Sequence, residues 1–278
     1  MKKGTLYLCP TPLGNLKDIT LRVLDVLREA SLIAAEDTRR TRKLLSYYDL
    51  HTPLTSYHEH NKAAKTSQLI VKLLEGQTIA VVSDAGTPGI ADPGEELVQA
   101  AIAQQITVIA LPGPVAAITA LTASGLTAVP FAFYGFLPTH GAERKVKLAQ
   151  IMGEAKTVIL YESPHRLCKT LAELCAIDPK RKVVVGRELT KLHEEYLRDT
   201  LEAMSAHFDR VKPRGEFTLL IAGAEPEAEE PTQDPLQLAE HYLEEGLSTR
   251  EAARRAAEVT GCARNEIYRK IIEKKKSE

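Results

Sequence analysis

Over the first two-thirds of the chain, short apolar runs alternate with amphipathic stretches. Residues 5–9 (TLYLC), 31–35 (SLIAA), 78–83 (TIAVVS) and 106–111 (ITVIAL) read as buried strands, as do 157–161 (TVILY), 182–186 (KVVVG) and 217–222 (FTLLIA). Between them apolar positions recur at helical spacing, as in Leu21, Leu24, Leu27 and Ala30, and in Leu69, Ile70, Leu73 and Leu74 after a polar entry at Asn61. Nearly continuous apolar strands separated by helices predict an α/β chain with sheets covered on both faces. The run 131–137 (FAFYGFL) breaks this rhythm and places a lobe boundary near Pro138, giving lobes 1–137 and 138–223. Polar residues 194–198 among the later strands predict a mixed second sheet.

The pattern then changes. Residues 224–235 (AEPEAEEPTQDP) are acidic, Pro-rich and without a large apolar side chain, as expected of a linker. Beyond it only helices are predicted, over 236–278. Asp234 caps the first with Pro235 in its first turn, Ser248-Thr249-Arg250-Glu251 forms a capping box for the second, and Gly261 ends it. The third, over 263–275, is rich in Arg and Lys. This small all-helical domain resembles a helix-turn-helix and is expected to contact RNA through Arg264, Arg269 and Lys270.

Composition narrows the classes. With 278 residues the chain is long enough for full cores, and 44% hydrophobic with 26% charged residues excludes a disordered or rod-like protein. A formal net charge of −1 excludes polyanion binding by bulk charge, so an RNA partner needs local patches. No apolar run approaches the ~20 residues that cross a bilayer, no export signal is read, and the four cysteines form no C-x-x-C pair. A cytoplasmic protein with reduced thiols, no membrane partner and no metal is expected.

The candidate chemistry lies in loops that leave strands. Residues 10–16 (PTPLGNL), 83–94 (SDAGTPGIADPG) and 111–120 (LPGPVAAITA) each follow a strand and are rich in Gly and Pro, which shape backbone around a ligand. The second loop lacks the lysine of a phosphate-binding loop and carries aspartates. It therefore suits a ligand with hydroxyl, amine or sulfonium groups better than a polyphosphate. Glu36 and Asp37 open a helix beside Arg39 and Arg40, and Tyr161-Glu162-Ser163-Pro164-His165-Arg166 and Gly186-Arg187-Glu188-Leu189-Thr190-Lys191 end strands of the second lobe. His58 and His60 share a face at strand spacing, but no convincing third ligand accompanies them.

In this order the motifs PTPLGNL, AEDTR, SDAGTPGIADPG, LPGPVAAITAL, GFLP, YESPHR, GRELTK and GEFTLLI resemble the tetrapyrrole (corrin/porphyrin) methylase superfamily, and within it the branch that acts on ribosomal RNA. The resemblance runs from Thr5 to Ile221 and extends to the C-terminal helices. It implies a two-lobed α/β tetrapyrrole-methylase-like fold and an S-adenosylmethionine (SAM)-dependent transfer to the 2′-hydroxyl of a cytidine in 16S rRNA of the small ribosomal subunit. A homodimer is also implied. SAM-binding positions carried over by motif are Leu13, Gly14, Asp84, Gly86, Thr87, Ile90, Val115 and Ala116, with Phe136, Tyr161 and Gly186 from the other lobe. At Val115 and Ala116 relatives often have Ser or Thr, so backbone contacts are expected there.

Methyl transfer requires the attacking oxygen, the methyl carbon and the sulfur to be held in line. A 2′-hydroxyl is a weak nucleophile and gains from a general base. Glu36, Asp37, Glu162 and Glu188 are the candidates, none singled out. Arg39, Arg40, His58, His60, Asn61, Arg166, Arg187 and Lys191 are expected on the RNA. A precorrin C-methyltransferase and a SAM-sensing nucleic-acid-binding regulator are the rival readings.

Overall fold

The structure is a computed structural model that describes residues 2–225 and 234–277. In chain order its elements are β1 (Thr5–Leu8), α1 (Leu21–Glu29), β2 (Leu32–Ala35), α2 (Thr38–Tyr47), β3 (Leu54–Ser56), α3 (Lys62–Leu74), β4 (Ile79–Val82), α4 (Glu95–Ala103), β5 (Thr107–Ala110), α5 (Ala116–Ser124) and β6 (Phe131–Phe136). They continue with α6 (Gly141–Gly153), β7 (Thr157–Glu162), α7 (Leu167–Cys175), β8 (Lys182–Arg187), β9 (Glu195–Thr200), α8 (Leu201–Arg210), β10 (Phe217–Ile221), α9 (Pro235–Glu244), α10 (Thr249–Thr260) and α11 (Arg264–Ser277). Two compact units result, residues 1–224 and 225–278.

The first unit holds two sheets. One is all parallel, in the order β3-β2-β4-β1-β5. Its β4 is buried along its whole length, and core residues such as Leu6, Ile33, Leu69 and Leu97 cover its faces. The other, in the order β6-β7-β10-β8-β9, is mixed as expected: β6 and β7 run parallel, and β10 is antiparallel to both its neighbours. The boundary expected near Pro138 falls too late. Residues 131–136 are already a strand of the second sheet, and α5 packs on that sheet through Ala117, Ala120 and Leu121. The sequence hides this because a six-residue apolar strand does not announce which sheet it joins. β3 also escapes the sequence pattern: it is three residues long and only half-buried at the sheet edge.

Loop 137–138, after β6, is held by a buried polar network. Arg144 donates to Pro138 O and to Thr170 Oγ1 and pairs with Glu173. Thr170 Oγ1 donates to Glu162 Oε2 at 2.6 Å, and Arg166 bonds the carbonyls of Leu137 and Pro138. Each member satisfies another, which buried polar groups require.

In the second unit α9, α10 and α11 pack around Ala239, Ala253, Ala256, Ile267 and Ile271. Asp234 and Ser248 cap α9 and α10 as the sequence predicts. The capping box forms only halfway: Glu251 pairs with Arg254 instead of reaching back. A charge-assisted bond to guanidinium outcompetes a neutral backbone N–H. The linker expected over 224–235 lies mostly outside the described residues, at 226–233. Among the described residues no helix is long and apolar enough to cross a membrane.

Thr170 is fully buried and stands between a carboxylate and a guanidinium. Thr170→Val keeps the volume and removes both bonds. It should cost about 1–3 kcal/mol, read as a lower urea midpoint with an unchanged slope.

Candidate functional site

Parallel strands present the loops at their carboxyl ends side by side, and here β4, β1 and β5 are neighbours. Their three loops are laced together. Thr11 and Gly86 exchange backbone hydrogen bonds at 2.8 and 2.9 Å, and Thr11 Oγ1 donates to Ser83 O. Thr87 Oγ1 donates to Pro114 O at 3.0 Å. A Cβ on Gly113 would lie 2.5 Å from the ring of Pro10, so the first and third loops approach as only glycine allows. A Cβ on Gly14 would lie 2.2 Å from Lys191 Cγ, which brings the first loop against the 188–194 turn of the second lobe; Asn15 N–H also donates to Thr190 Oγ1.

These loops wall a cavity of about 380 Å³. That size, and a lining mostly apolar with a few polar groups, is ordinary for a small-molecule site. Of the residues expected to bind a cofactor, Leu13, Asp84, Gly86, Thr87, Ile90, Val115, Ala116, Phe136 and Tyr161 line it. Gly14 and Gly186 do not. Gly14 lies under Lys191, and Gly186 faces Leu189, Tyr196 and Ala120, so both serve the packing of the walls. Tyr161 is set by β7, with its ring edge-on to Phe133 and Phe136. Its hydroxyl accepts the Ala117 N–H, satisfying one of the donors that the first turn of α5 leaves open.

The electrostatics are those of an anionic pocket. Glu36, Asp84, Asp92, Glu162 and Glu216 line it against one cation, Arg40. Glu36 follows β2 and Asp84 follows the adjacent β4, and each caps the other's loop. Glu36 Oε2 accepts the Asp84 N–H at 3.1 Å, and Asp84 Oδ1 accepts the Asp37 N–H at 3.0 Å. Arg40 Nη1 lies 3.3 Å from Asp84 Oδ2. Burial raises the pKa of Glu36, with Asp84 and Asp37 adding to it against the Asp84 N–H and Arg40. Asp92 is pushed up to about 6 by burial and by the charges of Glu36 and Asp84, against the Ser83 hydroxyl. Desolvation and like charge both favour the neutral acid.

The other expected bases are placed differently. Asp37 caps α2 and holds Arg39, whose guanidinium and N–H keep its carboxyl well below the usual range. Glu162 is buried, with one oxygen on Ser163 N–H and Arg166 and the other on Thr170. Glu188 accepts from Lys191 Nζ and Glu216 N–H; burial opposes its charge, but these partners hold its pKa low.

The expected RNA residues are scattered. Arg40 lines the cavity and Arg39 stands exposed beside it. Arg166 is spent on loop 137–138, Arg187 on Arg214 O and Glu195, and Lys191 on Glu188 and Glu216. His58 and His60 lie in a turn after β3, not on a strand, and Asn61 ties that turn to Ser56 and to His58. No cluster among the described residues could hold a metal ion. Arg264, Arg269 and Lys270 are exposed on α11, where Glu273 and Glu266 pair with the latter two.

Sequence reasoning missed Asp92 and the far wall made by Leu189, Glu216, Phe217 and Thr218. Asp92 stood in a quoted motif; what it lacked was any sign that its loop folds back over Glu36. The far wall belongs to β10 and the turn after β8, and only the folding of one lobe over the other brings them in.

The family model of the Tetrapyrrole (Corrin/Porphyrin) Methylases matches residues 5–205. A protein named ribosomal RNA small subunit methyltransferase I from Synechocystis sp. is 46% identical, over 97% of this chain and 98% of that one. One of the same name from Bacillus subtilis is 43% identical, over 95% and 93%. Among solved structures, a cobalt precorrin-4 methyltransferase aligns with a TM-score of 0.61 at 16% identity, covering 78% of this chain and 94% of that one. A Thermus thermophilus uroporphyrin-III C-methyltransferase complexed with S-adenosyl homocysteine aligns at 0.58 and 18%, covering 79% and 97%. At such identities the structural likeness concerns the fold.

Gly113→Ala should force the first and third loops apart. A loss of about 1–3 kcal/mol from overpacking is expected, read as a lowered melting temperature in calorimetry.

Proposed function

The chain belongs to the tetrapyrrole (corrin/porphyrin) methylase family, and on that premise we propose that it transfers the methyl group of SAM to the 2′-hydroxyl of a cytidine in 16S rRNA. The observation that carries this reading is the 46% identity, along nearly the whole of both chains, to a protein named for methylating small-subunit rRNA. The likeness to precorrin and uroporphyrin methyltransferases at 16–18% identity adds the fold and nothing about substrate. The reading includes a homodimer working on the small ribosomal subunit in the cytoplasm.

The cavity suits SAM on its own chemistry. Leu13, Ile90, Val115, Phe136 and Leu189 offer apolar walls to a nucleoside, and the carboxylates offer negative charge to a cation. Bound there, SAM would supply a methyl group on a sulfonium, and the neutral thioether S-adenosyl homocysteine would be the leaving group. Gly86, Thr87 and the first turn of α5 would hold the nucleoside, and the interlocked loops keep those backbone groups fixed before binding.

The proton of the attacking hydroxyl must go to a base near neutrality. Of the four carboxylates expected for this task, Glu36 lines the cavity with a raised pKa, while both oxygens of Glu162 are engaged by Ser163 N–H, Arg166 and Thr170. Asp92 joins it, since it also lines the cavity and is held up to about 6. We assign the base role to this pair, with Asp92 accepting the proton and Glu36 keeping Asp92's pKa high. Glu162 and Glu188 act through packing, and Asp37 through the cap of α2.

The test is methyl incorporation from labelled SAM into small ribosomal subunits, with mass mapping of the 16S rRNA; label absent from ribose would refute the reading. Asp92→Asn should lower kcat about 10²–10⁴-fold, while Glu162→Gln should act mainly on stability. Near-normal turnover in both Asp92→Asn and Glu36→Gln would rule out the assigned pair.

The raised pKa also fixes a pH dependence. Asp92 gains its charge as pH rises through about 6, and a sulfonium favours the charged form. The dissociation constant for SAM should therefore fall as pH rises from 5 to 7.5. That for S-adenosyl homocysteine, which lacks the sulfonium charge, should fall less, and calorimetry at the two pH values reads the difference. For stability the sign is opposite: a raised carboxyl pKa contributes stability present below the unfolded value of ~4, lost as pH rises through about 6.

A further inference from the structure

The outer face of α2 is costly to the fold and has no internal explanation. Within ten residues it carries Arg39, Arg40, Arg42 and Lys43 and no acid. At about 100° per residue, the buried Thr41, Leu44 and Leu45 take one side and the four cations the other. Arg39 and Lys43, and Arg40 and Lys43, are neighbours at helical spacing, where like charges repel. Cations near a helix N-terminus also oppose its dipole. Asp37 and Asp84 relieve Arg39 and Arg40. Arg42 and Lys43 have no ion-pair partner among the described residues.

The same face ends in an aromatic ring. Tyr47 is 61% exposed and stands in line with Arg40 and Lys43. Its ring is propped edge-on against Tyr48, at 4.9 Å between centroids, and Tyr48 is itself anchored by its hydroxyl on Leu16 O. Arg40 lines the cavity, so the strip begins at the cavity and runs outward for about 10 Å at 1.5 Å per residue.

Unpaired cations beside a fixed, exposed ring match the two faces of an unpaired nucleic-acid strand, phosphate and base. We propose that the outer face of α2 is the track on which the RNA strand enters the cavity, with Lys43, in line with Arg40 and Tyr47, on one phosphodiester, Arg42 on another from the flank of the same exposed face, and Tyr47 stacked on an unpaired base. The track rests on the RNA reading given above and names the surface that serves it. It differs from α11, where Glu266 and Glu273 already answer Lys270 and Arg269.

The experiment measures binding of a 16S rRNA transcript across a salt series, with SAM affinity followed by calorimetry. Arg42→Glu/Lys43→Glu should weaken RNA binding tenfold or more at low salt. It should also flatten the dependence of log K on log salt by about 1–2. Tyr47→Ala should weaken binding about tenfold with the wild-type slope, and Tyr47→Phe should restore it. SAM affinity should hold in all three variants, which shows that the fold is intact. Wild-type RNA affinity and slope in the double variant would overturn the track. So would a loss that tracks conversion of a dimer to a monomer in sedimentation, which assigns the face to a second copy. Failure of the unmutated chain to methylate small subunits is the separate result that removes the RNA reading, and the track with it.

Discussion

Concentrating carboxylates in a half-buried pocket is unfavourable, and the exchange between Glu36 and Asp84 is what makes it tolerable. Each carboxylate accepts a backbone N–H from the loop that carries the other or its neighbour, and Arg40 sits on the second. The Asp84 N–H and Arg40 favour the charged form of Glu36, but burial outweighs them and its pKa is raised. Adjacent parallel strands are the reason the exchange is possible, since β2 and β4 deliver the ends of their chains at one level. Asp92, buried beside this pair, loses solvent and meets their charge, and its pKa is raised to about 6 against the Ser83 hydroxyl.

The remaining walls depend on the same level ends. Thr11 and Gly86 close a bridge between the loops after β1 and β4, and the loop after β5 is seated by Pro10 and Thr87. α5 then leaves the first sheet and packs on the second, so one helix is shared by both halves of the cavity. Arg198 of β9 holds the last carbonyls of α5 through Ala123 and Ser124, a favourable place for a cation. A rigid pocket built this way needs little rearrangement to align a donor with an acceptor, which is the main demand of an in-line displacement.

Charge is partitioned with the same economy. Arg144, Arg166, Arg187 and Lys191 are consumed in fixing loops of the second half, where their partners are carbonyls and carboxylates. Arg42 and Lys43, without an ion pair among the described residues, stand on α2, the helix that also brings Arg40 to the pocket. A chain of nearly zero net charge thus carries a locally basic surface on α2 while its pocket is lined mainly by carboxylates.

Most of the strands (β3 excepted), the loops rich in Gly and Pro, the caps at Asp234 and Ser248 and the helical character of the C-terminal residues were legible in the sequence, because each depends on residues within a few positions of one another. So was the family, from motifs in order. Three things were decided only by tertiary structure. Residues 131–136 joined the second sheet because pairing with β7 is a long-range choice. Glu188 has an oxygen on the Glu216 N–H because folding brings that residue back from 28 positions away, whereas the partners of Glu162, Arg166 and Thr170, stand within eight residues of it. Asp92 acquired its raised pKa first from burial and then from the charge of Glu36, which is distant in sequence, with Asp84 adding to it. A carboxylate's chemistry is set by its solvation and its neighbours' charge: for Asp37 the decisive neighbour, Arg39, stands two positions along the chain, whereas the burial of Asp92 and the charge of Glu36 beside it exist only in the fold.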